Sequence, residues 1–124
     1  MKAYLIVFLG AGIGGALRHG VNVAALRLLG PAFPFGTLTV NVVGSLAMGL
    51  LAGYFALRAD PGQHWRLFLT TGLLGGFTTF SAFSLDAVFL YERGEIVQMT
   101  LYVMASVALS IAALVAGLFI ARIL

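Results

Sequence analysis

Thr37, Asn41 and Ser45 recur every fourth residue through an apolar stretch, and Tyr102, Ser106 and Ser110 repeat the spacing later in the chain. On helices each trio shares one face. Between them stands Gly75-Gly76-Phe77-Thr78-Thr79-Phe80-Ser81-Ala82-Phe83, with Ser84 just beyond. These groups are neutral hydrogen bonders, and their hydroxyl and amide hydrogens can replace the water around a small anion. Any single Ser or Thr is better explained by a bond between helices, worth under about 1 kcal/mol in a membrane, or by a bond to its own backbone. Asn41 is harder to explain that way, because a side-chain amide in hydrocarbon is costly unless all its partners are present. Phe80 and Phe83 are three apart and project to one face of a helical segment. A phenyl ring has a positive edge, so inward-turned rings could meet an anion while excluding bulk water. Ordinary packing is the alternative for both, and for Phe77.

The same stretch is poor helix material, with adjacent glycines and two β-branched threonines. A helix that comes apart from Gly75 to Thr79 leaves carbonyl oxygens without their i+4 partners. Such oxygens are hard ligands, suited to a small cation such as sodium. A half-helix starting near Phe80 would turn its positive N-terminal end to the membrane centre.

Acid–base chemistry is nearly absent. No Asp or Glu precedes Asp60, and Asp86, Glu92 and Glu95 cluster near one end of an apolar stretch. His19 and His64 lie far apart, and cysteine is missing altogether. Neither a nucleophile–base pair nor a metal cluster is visible, which argues against an enzyme. A proton-coupled transporter needs a carboxylate at membrane depth, and Asp86 is the only candidate.

The elements that must position these groups are membrane spans. The 124 residues are 61% hydrophobic and 9% charged, with a mean hydropathy of +1.07. A soluble domain carries about 25% charged residues. The formal net charge of +3 is scattered and forms no nucleic-acid patch. Apolar segments at residues 3–29, 35–57, 65–91 and 96–121 are each long enough to cross a bilayer. Lys2 ahead of an apolar run resembles a signal peptide, but no clear cleavage site follows, so the run is read as a retained span. Gly30-Pro31-Ala32-Phe33-Pro34, the polar turn 58–64, and Glu92-Arg93-Gly94-Glu95 separate the spans. The reading is an all-α membrane protein of one domain, 1–124, with antiparallel neighbours and both termini on one side.

Lys2, Arg58, Arg66 and Arg122 fall on the terminal side; Arg27 and Arg93 fall on the other, joined by Arg18 if it lies near its end of the span. So small a bias is compatible with cytoplasmic termini and with insertion both ways. Four thin spans enclose little, so a channel of this size is expected to oligomerise. The pairs Gly10/Gly14, Gly49/Gly53 and Gly72/Gly76 suit close helix packing, between subunits or within one.

Three stretches carry a family likeness: Gly12-Ile-Gly-Gly-Ala-Leu-Arg18, Gly36-Thr-Leu-Thr-Val-Asn41-Val-Val-Gly44-Ser45 and Gly72-Leu-Leu-Gly-Gly-Phe-Thr-Thr-Phe80-Ser-Ala-Phe83. In this order and at this chain length, the sequence resembles the Fluc (CrcB-type) fluoride channels over essentially its whole length. The resemblance implies a multi-pass protein of the cell inner membrane with four transmembrane helices per subunit, the third broken mid-membrane. It implies an antiparallel, dual-topology homodimer with two fluoride pores. Asn41, Phe80 and Phe83 match pore residues, and Tyr102, Ser106 and Ser110 match a polar track. Thr37, Thr79 and Ser81 join the expected pore lining. Gly75 and Thr78 match positions whose carbonyls hold a central sodium ion, and Arg18, which matches a family arginine, is also expected in the pore. His19 stands where an aromatic is usual and Ala82 where a threonine is common, so the local hydrogen bonding there is open.

The implied function is passive export of cytoplasmic fluoride. The rival is a small dual-topology multidrug or cation exporter, which the lack of a carboxylate in the first two spans opposes. A structural membrane subunit is the second rival.

Overall fold

The computed structural model describes residues 1–57 and 60–124; Arg58 and Ala59, expected in the polar turn, lie outside them. Four helical segments are long and apolar enough to cross a membrane: Lys2–Leu29, Phe35–Leu57, Gln63–Glu92 and Ile96–Ile123. Helix α1 is Lys2–Leu29 and α2 is Phe35–Leu57. The third span is composite. It runs from α3 (Gln63–Arg66) through a π-helical stretch, Leu67–Leu74, into α4 (Gly75–Phe77), and continues as α5 (Ser81–Glu92). Helix α6 is Ile96–Ile123.

The stops follow from local chemistry. Gly30 ends α1 at φ 80° and donates its N–H to Leu26. Gly94 ends α5 at φ 79°. Its N–H reaches the Tyr91 carbonyl, and the Glu95 N–H reaches Leu90, each at 3.0 Å. This paired closure needs the left-handed backbone that glycine adopts freely. Before α3, Asp60 accepts from the Gly62 N–H at 2.9 Å and from Arg66 at 2.6 Å. The Gly62 N–H, with Arg66 behind it, holds the Asp60 carboxyl below its usual range.

Two helix pairs form the body: α2 packs chiefly on α6, and α1 on the π stretch and α4. The glycine pairs of the sequence serve these contacts inside one subunit. A Cβ at Gly49 would strike the Leu114 carbonyl, and one at Gly14 the Leu73 carbonyl. The largest fully buried side chains are Tyr102, Leu90 and Val40, whereas Phe8 is 73% and Met104 64% exposed. So much apolar surface suits a lipid environment rather than water.

The unwinding expected from Gly75 to Thr79 is displaced. Gly75–Phe77 is helical, and Thr78 is the residue that extends, at φ −88° and ψ 158°. Gly76 stays helical because its bare Cα lies against Ala11 of α1, where no side chain would fit. The next helix begins at Ser81 with Phe80 as its N-cap, near Phe80 as expected.

Candidate functional site

Thr78, Thr79 and Phe80 carry backbone groups that α4 and α5 do not use, and each needs another partner. Asn41 supplies two of them. Its amide nitrogen donates to the Thr79 carbonyl at 2.9 Å, and its oxygen accepts the Thr79 N–H at 2.8 Å. One amide hydrogen of Asn41 is left over. The Thr79 hydroxyl oxygen accepts the Ala82 N–H at 3.1 Å, capping the start of α5, and lies 3.4 Å from the Ser81 hydroxyl. Thr78 turns both its N–H and its hydroxyl back to the Leu74 carbonyl.

These diversions free two particular oxygens. In a continuous helix the Thr79 N–H would serve the Gly75 carbonyl, and the Ala82 N–H would serve that of Thr78. Asn41 takes the first donor and Thr79 Oγ1 the second. Among the described residues, no other donor replaces them. The Gly76 carbonyl, between them in the chain, accepts from Arg18 Nε at 3.1 Å.

A groove of about 400 Å³ runs beside this segment, lined by Asn41, Ser45, Thr79, Phe83, Ser106 and Ser110, among others. Phe80 also faces it and is 77% exposed. The Phe80 and Phe83 ring centroids are 5.4 Å apart and tilted by 50°. Ser106 is 6% exposed, and its hydroxyl has no hydrogen-bond partner among the described residues. A buried, unpartnered hydroxyl is costly until a partner reaches it.

Thr37 and Tyr102 lie apart from that groove. Tyr102 is fully buried, its hydroxyl donating to Asp86 Oδ2 at 3.1 Å and its ring 5.2 Å from that of Phe83. Thr37 lines a second cavity, of about 350 Å³, together with Asn22, Phe33, Ala82, Asp86 and Arg93. Asn22 was not singled out from the sequence. Its signal was an amide one turn beyond Arg18 in an apolar span. Asp86 drew attention only as a proton carrier; the structure makes it the acceptor for Tyr102. Among the described residues, no cluster of His, Asp and Glu could hold a metal ion.

The model for the CrcB-like protein, Camphor Resistance (CrcB) family matches residues 5–118. The chain belongs to this family. It is 60% identical to the fluoride-specific ion channel FluC of Rhodopseudomonas palustris (strain BisB5), over 96% of each chain. It is 62% identical to that of Methylobacterium nodulans, over 95% of this chain and 94% of the relative. Against the FluC of Granulibacter bethesdensis it is 57% identical over its full length and 98% of the relative. CrcB family membership therefore spans all four apolar helices.

Proposed function

We propose that the protein is a passive, fluoride-selective channel that lets cytoplasmic fluoride leave across the inner membrane. The observation that carries this reading is the groove in which the buried, unpartnered Ser106 hydroxyl, the remaining Asn41 amide hydrogen and the Phe80–Phe83 pair converge. The naming of its relatives as fluoride-specific channels supports it. Fluoride moves along a path of hydroxyl and amide donors and positive ring edges, which replace its hydration. A negative-inside potential drives an anion outward by about 2.3 kcal/mol per charge for each 100 mV. No proton relay is required.

The working unit is an antiparallel homodimer with two pores, its third span interrupted at mid-membrane. Support comes from the exposed Phe80 beside the non-helical Thr78–Thr79 backbone. Hydrocarbon does not cover such backbone, and a second copy can. A sodium ion at the dimer centre fits the uncommitted Gly75 and Thr78 carbonyls, which would hold it. When bound, it supplies a positive charge that ties the interrupted spans together. Arg18 fixes the Gly76 carbonyl and so orients the segment between those two residues.

Proteoliposomes loaded with potassium fluoride or potassium chloride test the reading. With valinomycin added, the protein releases fluoride rapidly and almost no chloride. Equal release of both ions, or release of neither, refutes it.

A further inference from the structure

The Tyr102 ring contacts one residue of the groove and one of the loop-side cavity. On one side Phe83 packs on it at 5.2 Å, and Phe83 lines the groove. On the other side Phe33, from the loop between α1 and α2, meets it edge-on at 5.5 Å and 87°. Phe33 lines the loop-side cavity, as do Thr37, Ala82 and Asp86. Phe33 is itself held in place. Its ring lies 4.9 Å from that of Phe35, and the neighbouring Ala32 carbonyl accepts from Arg93 at 3.4 Å. The Tyr102 ring thus packs against both Phe83 and Phe33 while its hydroxyl stays on Asp86. A ring packed against two others moves only by small displacements, which limits what can pass beside it.

We propose that Phe33 is a specificity-determining residue that keeps the Tyr102 ring closed against anions larger than fluoride. The proposal rests on the fluoride-channel reading. The loop-side cavity is then the aqueous mouth of the path, and Phe33 acts through Tyr102 as a positioning residue. Removing its ring frees Tyr102 to swing into the space left behind, and the opening widens. Keeping a ring of similar size, as in Phe33→Tyr, preserves the closure.

Reconstituted wild type, Phe33→Ala and Phe33→Tyr are compared for release of fluoride, chloride and sulfate under valinomycin. For Phe33→Ala, chloride release rises about tenfold or more while fluoride release changes less than about threefold, and sulfate stays inside the vesicles. Phe33→Tyr behaves as wild type. Unchanged chloride release in Phe33→Ala overturns the proposal, and so does a sulfate leak, which marks a loosened fold. If Phe33→Ala does not reconstitute, Phe33→Leu keeps apolar bulk without the ring and is judged by the same outcomes. A wild type that releases neither ion refutes the channel reading instead, whereas a selective wild type with an unchanged Phe33→Ala refutes only this inference.

Discussion

Asn41→Leu sharply lowers fluoride efflux and destabilises the subunit. Leucine has a similar volume but neither donor nor acceptor, so the Thr79 carbonyl and N–H both lose their partner. Each orphaned backbone group costs about 1–3 kcal/mol. The free Thr79 N–H then seeks the Gly75 carbonyl, and α4 extends toward α5. That rearrangement moves Phe80 and withdraws the carbonyl proposed for sodium. The remaining amide hydrogen aimed at the anion is lost as well. We expect the initial fluoride efflux rate per reconstituted subunit to fall by about a hundredfold, equivalent to about 2.7 kcal/mol on the barrier. The unfolding temperature in detergent falls with it. Asn41→Asp is nearly as damaging, because the carboxylate keeps an acceptor for the Thr79 N–H but faces the Thr79 carbonyl without a proton. Its charge also repels an approaching anion. Efflux and melting temperature close to wild type for Asn41→Leu would show that the Asn41–Thr79 pairing does not organise the path.

Gly76→Val has a comparable effect for a different reason. A Cβ at Gly76 meets the carbonyl oxygen, Cα and carbonyl carbon of Ala11. All three are backbone atoms of a helix, so no rotamer change relieves the clash. Overpacking a core ordinarily costs about 1–3 kcal/mol, and a branched side chain against main chain lies at or beyond the upper end of that range. Helix α1 must part from the third span, and the Arg18 bond to the Gly76 carbonyl goes with it. The expected outcome is loss of monodisperse protein on size-exclusion chromatography. Gly12→Ala is the matched control, since nothing lies within 4 Å of a Cβ there. It should stay within about 0.5 kcal/mol of wild type. Similar yields and melting curves for Gly76→Val and wild type would refute the close α1 packing.

The spans were legible because lipid demands length and apolarity and little else. Helix α2 begins and ends at the residues where the apolar run does, since Pro34 and the polar turn punctuate it. The neutrality of the polar stripes was legible too. Partner assignments were less so. Thr37 and Tyr102 share a helix face with Asn41 and Ser106, yet a shared face does not say which cavity it meets. Poor helix propensity at Gly75 and Gly76 suggested unwinding, but tertiary packing against Ala11 outweighed it. The π-helical stretch Leu67–Leu74 carries no distinctive residue. It arises in a segment packed closely on the glycine face of α1, and such packing is a property of two segments rather than of one. Phe33 read as part of a turn, because its contact with Tyr102 spans most of the chain.

The central claim is selective, passive fluoride conduction, and the reversal potential of purified protein in a planar bilayer tests it most directly. With fluoride at unequal concentrations and chloride balanced across the membrane, the account predicts a reversal potential that moves by about 59 mV for each tenfold change in the fluoride gradient. A reversal potential that stays at zero, or that shifts when only the chloride gradient is changed, contradicts it.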